Sequence, residues 1–138
     1  MTGPSTGDGG RRLAGYRVLI AEDCTVNRLL LQGLLARQCE RLVCVEGGRQ
    51  AVELVRREGA DAFDIVISDI QMPDMGGCAA ATLLRSEAPG LPVVGLTGSA
   101  EAEDIEACRA AGMLELVPKP FDLDTLVAAI RRHARKPA

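Results

Sequence analysis

Ile65 to Gly77 reads IVISDIQMPDMGG, and the fold turns on this stretch. Its β-branched apolar run predicts a buried strand that ends in an acid, Asp69. Met72-Pro73 and the Gly76-Gly77 pair follow at once, so the strand meets a loop at a carboxylate. In open parallel α/β sheets this edge is where ligands bind, because the loops leaving the strand ends open a crevice there. A single acid in that place is most often a loop or helix-capping residue. Its meaning depends on what the other strands bring to the same edge.

Composition bounds the answer. At 138 residues the chain is one domain's worth and can bury a full core. Hydrophobic residues make up 47% and charged residues 25%, ordinary for a soluble globular protein. No apolar run approaches the ~20 residues needed to span a bilayer. The first fifteen residues lack the apolar segment of a signal peptide, so a cytoplasmic location is expected, with no membrane contact by this domain. A net charge of −3 gives no general attraction to nucleic acid. The basic end (Arg131, Arg132, His133, Arg135, Lys136) reads as a complement to the negative end of the last helix. Five cysteines (Cys24, Cys39, Cys44, Cys78, Cys108) without a CxxC, and a lone His133, form no zinc pattern. They read as reduced, small apolar residues.

In chain order, Met1 to Gly15 is rich in Gly, Ser, Thr and Pro and predicts a flexible tail, with the folded domain over residues 16–136. Strands are expected at Arg17–Ala21, Arg41–Val45, Ile65–Asp69, Val93–Thr97 and Glu115–Val117. Between them helices are expected over Thr25–Cys39, Arg49–Glu58 and Cys78–Ser86. A fourth is capped by Ser99, has Glu101, Glu103 and Asp104 in its first turn and stops at Gly112; the last runs over Leu123–His133 from an Asp122 start. In the first helix Val26, Leu29, Leu30, Gly33, Leu34 and Arg37 share one face at 3.6-residue spacing, which leaves Leu31 and Leu35 pointing outward as a candidate docking patch. Five βα alternations argue for a doubly wound parallel sheet with helices on both faces.

Residues just after each strand of such a sheet lie along one edge. Here they are Glu22 and Asp23, Asp69, Thr97 and Lys119. Carboxylates with loop carbonyls and waters suit a hard cation such as Mg²⁺. A hydroxyl and an ammonium suit phosphoryl oxygens, whose transfer depends on positioning and charge neutralisation. A carboxylate can itself be the nucleophile and form an aspartyl phosphate.

AEDCTVNR, SDIQMPDMGG, LTGSA and VPKPF, in this order and spacing, resemble the response-regulator receiver domain of two-component signalling, above all the receivers of hybrid sensor histidine kinases. The resemblance covers Tyr16 to His133. It implies a flavodoxin-like (βα)5 fold with strand order 2-1-3-4-5. It also implies that Asp69 is the phosphoacceptor, Glu22 and Asp23 bind Mg²⁺ with Asp69 and the backbone carbonyl of Gln71, Thr97 is the switch hydroxyl and Lys119 binds the phosphoryl group. The Lys119-Pro120 bond matches one that is usually cis, which would turn the lysine into the site. The implied partner is a histidine kinase or histidine phosphotransfer protein, docking near Leu31 and Leu35. In this reading the domain catalyses its own phosphorylation and dephosphorylation without turning over a separate substrate. A stand-alone relay and a piece of a hybrid kinase both remain open.

Three positions depart from the family pattern. Leu116 stands where an aromatic commonly rotates inward as Thr97 moves, Cys24 where hybrid-kinase receivers often have Asn, and Gly76 where they often have Asp. Leu116 leaves room for an alternative, a receiver-like interaction module that acts without phosphorylation. A dehalogenase-type phosphohydrolase would want an acid two residues after Asp69, where Gln71 stands. Dinucleotide binding would want a G-x-G-x-x-G after the first strand, and none is present.

Overall fold

The computed structural model describes residues 12–72, 75–98 and 102–135. The expected tail as far as residue 11, the Ser99 cap with Glu101, and Lys136 lie outside them. The elements are β1 (Leu13–Ala21), α1 (Thr25–Leu35), β2 (Cys39–Val45), α2 (Gly48–Glu58), β3 (Ile65–Asp69), α3 (Gly77–Glu87), β4 (Val93–Thr97), α4 (Ala102–Ala110), β5 (Leu116–Pro118) and α5 (Leu123–His133). All five strands are parallel, in the order β2-β1-β3-β4-β5, as expected. Among the described residues no helix is long and apolar enough to cross a membrane.

Strand periodicity divides the core in two. Val18 and Ile20 of β1, Ile65 and Ile67 of β3 and Val94 and Leu96 of β4 face α1 and α5, where Leu31, Leu35, Leu126 and Ile130 close over them. Leu19, Val66 and Val93 point the other way, into a layer with Val52, Val55, Ala80, Leu84 and Cys108 from α2, α3 and α4. Successive side chains of a strand project to opposite faces, so a sheet covered on both sides reads as an unbroken apolar run. At the far end of the sheet from the loops already described, Asp64 is buried and accepts from the backbone N–H, Nε and a terminal nitrogen of Arg17 at 2.8, 3.2 and 3.0 Å. These bonds tie the start of β3 to β1.

Three expectations are corrected. The first helix, expected to run to Cys39, ends at Leu35, and Cys39 opens β2. β1 begins at Leu13, so the last residues assigned to the tail belong to the sheet: Leu13 is fully buried and pairs with Cys39. The register shifts between Leu13 and Arg17, and Gly15 has a φ of 86°, a left-handed value that glycine adopts without a steric penalty. The strand therefore runs through a kink that a glycine-rich sequence disguises as coil.

The faces of α1 are also the reverse of those expected. Leu31 and Leu35 are fully buried, whereas Val26, Leu29 and Leu30 are 72%, 61% and 47% exposed, and Gly33 and Arg37 are exposed as well. The inward stripe runs Asn27, Leu31, Leu34, Leu35 at i, i+4, i+7 and i+8, with Leu31 and Leu35 buried and Asn27 and Leu34 half-buried. It begins with a polar residue, so a stripe counted from the first apolar residue, Val26, lands on the wrong side.

Candidate functional site

Strand register carries the site residues to one edge. Ala21 pairs with Ser68, which brings Glu22, the next residue, level with Asp69. Asp69 pairs with Leu96, so Thr97 stands one step further along β4; Thr97 pairs with Pro118, so Lys119 follows at the same end of β5. The Lys119 N–H donates to the Thr97 carbonyl at 2.8 Å, and the Lys119-Pro120 bond is cis.

The side chains converge. Lys119 Nζ lies 2.9 Å from Asp69 Oδ2 and 3.5 Å from Glu22 Oε1. The Gln71 N–H donates to Asp69 Oδ1 at 3.1 Å, and the Cys24 N–H to Glu22 Oε2 at 3.2 Å. Glu22, Asp69 and Thr97 are buried, and Asp23 is exposed at the rim. One carboxylate oxygen from each of Glu22, Asp23 and Asp69 falls within 4.8 Å of the others. A groove of about 560 Å³ opens beside them, lined by Asp23, Glu46, Arg49, Gln50 and Met72.

Negative charge is crowded in this cluster. Burial pushes the Glu22 carboxyl up to about 7, with the neighbouring Asp69 adding to the shift and the Cys24 N–H and Lys119 opposing it. Burial alone would lower the Lys119 ammonium, but its bonds to Asp69 and the charge of Glu22 outweigh that and hold it above its ordinary value. Glu22 Oε1 is buried and accepts no hydrogen bond; at 3.5 Å its contact with Lys119 is an ion pair only. An orphaned buried oxygen facing two further carboxylates fits a hard, oxygen-seeking divalent cation.

One contributor escaped the sequence reading. The Arg28 guanidinium donates to the carbonyls of Glu22 and Asp23 at 3.0 and 3.4 Å, and to Thr25 Oγ1 at 3.4 Å, bracing the turn that presents both acids. The available signal was its place in the first turn of α1, where side chains point back toward the helix N-terminus. Gly77 is a second constraint. A Cβ there would collide with the Asp69 carbonyl and stand 3.0 Å from Ile70 Cα, so α3 starts against the backbone at the end of β3.

Leu116 is half-buried and packs across β4. A Cβ on Gly95 would lie 2.6 Å from Leu116 Cδ2 and 2.8 Å from Met113 Sδ, so this leucine rests in space that Gly95 leaves open, two residues before Thr97.

A family model for the response regulator receiver domain matches residues 18–131. The chain is 36% identical over 137 residues to the sensory/regulatory protein RpfC of Xanthomonas campestris pv. campestris, covering 92% of this chain and 18% of that protein. It is 31% identical to hybrid signal transduction histidine kinase H of Dictyostelium discoideum, covering 84% of this chain and 9% of that one. It thus spans less than a fifth of the length of either relative. Among solved structures, the receiver domain of sensor histidine kinase PA1611 from Pseudomonas aeruginosa, with a magnesium ion coordinated in its active site cleft, superposes with a TM-score of 0.78 at 29% identity over 86% of this chain and 97% of that one. Chemotaxis protein CheY4 of Vibrio cholerae gives 0.78 at 26% identity, covering 86% and 98%.

Proposed function

Because the chain belongs to the response-regulator receiver family, we propose that Asp69 takes a phosphoryl group from a phosphohistidine on a partner protein and that Glu22, Asp23, Thr97 and Lys119 serve that transfer. The observation that carries this reading is the Asp69 carboxylate held 2.9 Å from Lys119 Nζ, among three acids at the open edge of the sheet. Glu22, Asp23, Asp69 and the Gln71 carbonyl would hold Mg²⁺, which supplies charge neutralisation for phosphoryl oxygens.

An Asp69 oxygen forms the new bond to phosphorus as the P–N bond to histidine breaks and the imidazole leaves with its electron pair. The Lys119 ammonium, already beside Asp69, stabilises the charge on the transferred group. The product adds roughly −1.5 to −2 of charge at the end of β3, by analogy with other protein phosphates. The Thr97 hydroxyl, one strand away, then turns toward it and biases β4 and α4 to a second packing. Water attack at phosphorus breaks the new O–P bond and returns the Asp69 carboxylate.

Intact-protein mass after incubation with acetyl phosphate tests the reading. A single phosphate adduct is expected with Mg²⁺ and none with a chelator. No adduct from acetyl phosphate or from a phosphorylated phosphotransfer protein would sink the proposal.

Docking belongs to the same reading. Leu31 and Leu35 are buried, which removes them as contacts, but α1 starts two residues after Asp23 and exposes Val26, Leu29 and Leu30 on its outer face. An apolar patch beside the reactive edge suits a helical, histidine-bearing partner. Val26→Ser with Leu29→Ser is expected to slow transfer from a phosphohistidine donor by about tenfold, equivalent to ~1.4 kcal/mol, and to slow acetyl phosphate labelling far less. Equal slowing of both reactions would count against this patch.

A further inference from the structure

The two halves of the α3–α4 seam each contribute a cysteine. Cys78, in the first turn of α3, and Cys108, near the end of α4, place their sulfurs 2.9 Å apart. A disulfide holds its sulfurs at about 2.03–2.05 Å, so closure requires a shift of under ~1 Å. The other cysteines lie elsewhere in the fold: Cys24 is exposed on the β1–α1 turn, and Cys39 and Cys44 belong to β2, at the edge of the sheet. Cys78 is half-buried, whereas Cys108 is 1% exposed and packed into the α2–α3–α4 layer. An oxidant therefore reaches Cys78 first, and the sulfur best placed to answer is Cys108.

We infer that Cys78 and Cys108 form a dithiol–disulfide pair, a modification site for peroxide that fastens the start of α3 to α4. The Cys78 sulfur, as thiolate, attacks one peroxide oxygen; the O–O bond breaks, one water leaves, and Cys78 becomes a sulfenic acid. The Cys108 sulfur then attacks that sulfur, the S–O bond breaks, and the departing hydroxide leaves with the Cys108 proton as a second water. Two thiols have lost two electrons and two protons, which hydrogen peroxide has taken up. A dithiol reverses the step by thiol–disulfide exchange.

The consequence for signalling rests on the receiver reading: α4 is the helix that follows Thr97, and a bond to α3 holds it in its present packing. The pairing itself does not depend on that reading, and the test is chosen to keep the two apart.

The folded chain is treated with hydrogen peroxide, blocked with an alkylating agent, digested with trypsin without reductant and mapped by mass. Cys78 and Cys108 fall on separate tryptic peptides, residues 58–85 and 86–109, each with a single cysteine. The expected result is one cross-linked product of these two peptides, lighter than their sum by two hydrogens and lost on adding dithiothreitol. In Cys108→Ser the cross-link should vanish and Cys78 should be trapped as sulfenic acid by dimedone. Cys78 and Cys108 that both stay alkylatable at peroxide doses oxidising Cys24, or Cys78 over-oxidised in the native chain without the link, would overturn the inference. Phosphate labelling plays no part in this readout, so a chain that cross-links and takes no phosphate would fail the receiver reading alone.

Discussion

Asp69→Asn is expected to reduce phosphate incorporation to background, in the presence of Mg²⁺ and any donor. The substitution keeps the shape of the side chain and removes the proposed oxygen nucleophile, while Glu22 and Asp23 remain within the cluster. Neither can replace it on geometric grounds. Glu22 is fully buried, with one oxygen tied to the Cys24 N–H and the other facing Lys119. Asp23 is exposed at the rim, and the Lys119 contacts are to Asp69 and Glu22. The variant should stay folded, because it withdraws one charge from a group of crowded carboxylates and leaves the Lys119–Glu22 ion pair in place. Intact mass and thermal melting, run on the same sample, check both halves. An adduct of undiminished yield in a folded Asp69→Asn chain would move the nucleophile elsewhere, and peptide mapping would say where.

The second large effect is on stability and discriminates the two faces of α1. Leu31→Ala is expected to cost about 2–5 kcal/mol, the range for emptying a fully buried leucine site, and to lower Tm by roughly 5–15 °C for a domain of this size. Leu30→Ala, one residue away and 47% exposed, should change stability by no more than ~0.5 kcal/mol. Paired thermal melts decide the matter. Similar losses for the two variants would mean that α1 packs in some other rotation and that the Val26–Leu29–Leu30 patch is not a surface.

Those adjacent leucines show what the sequence could and could not reveal. Strand-end chemistry was legible because it depends on local facts: where an apolar run stops and which residue comes next. Parallel register then carries Glu22, Asp69, Thr97 and Lys119 to one edge of the sheet. The α5 start was equally local, since Asp122 accepts from the Thr125 N–H at 2.8 Å and so announces its helix through its own capping bond. The rotation of α1 was not local. Val26, Leu29, Leu30, Leu31, Leu34 and Leu35 cover so much of the helix that periodicity allows two stripes, and only the shape of the sheet beneath selects one. Arg28 was hidden for a related reason, because its partners are backbone carbonyls and those carry no sequence signature. The cysteine pair lay beyond any pattern reading: thirty residues separate Cys78 from Cys108, and only the packing of α3 against α4 brings them together.

The space above Gly95 constrains what can be substituted there. Leu116 Cδ2, Met113 Sδ and Ile70 Cγ2 all crowd the point where a side chain at 95 would begin, at 2.6, 2.8 and 3.0 Å. All three are ends of side chains rather than backbone, so an alanine at 95 is accommodated only as those ends give way together. Positions 70, 95, 113 and 116 therefore form one coupled packing unit beside Thr97, and substitutions among them are not additive.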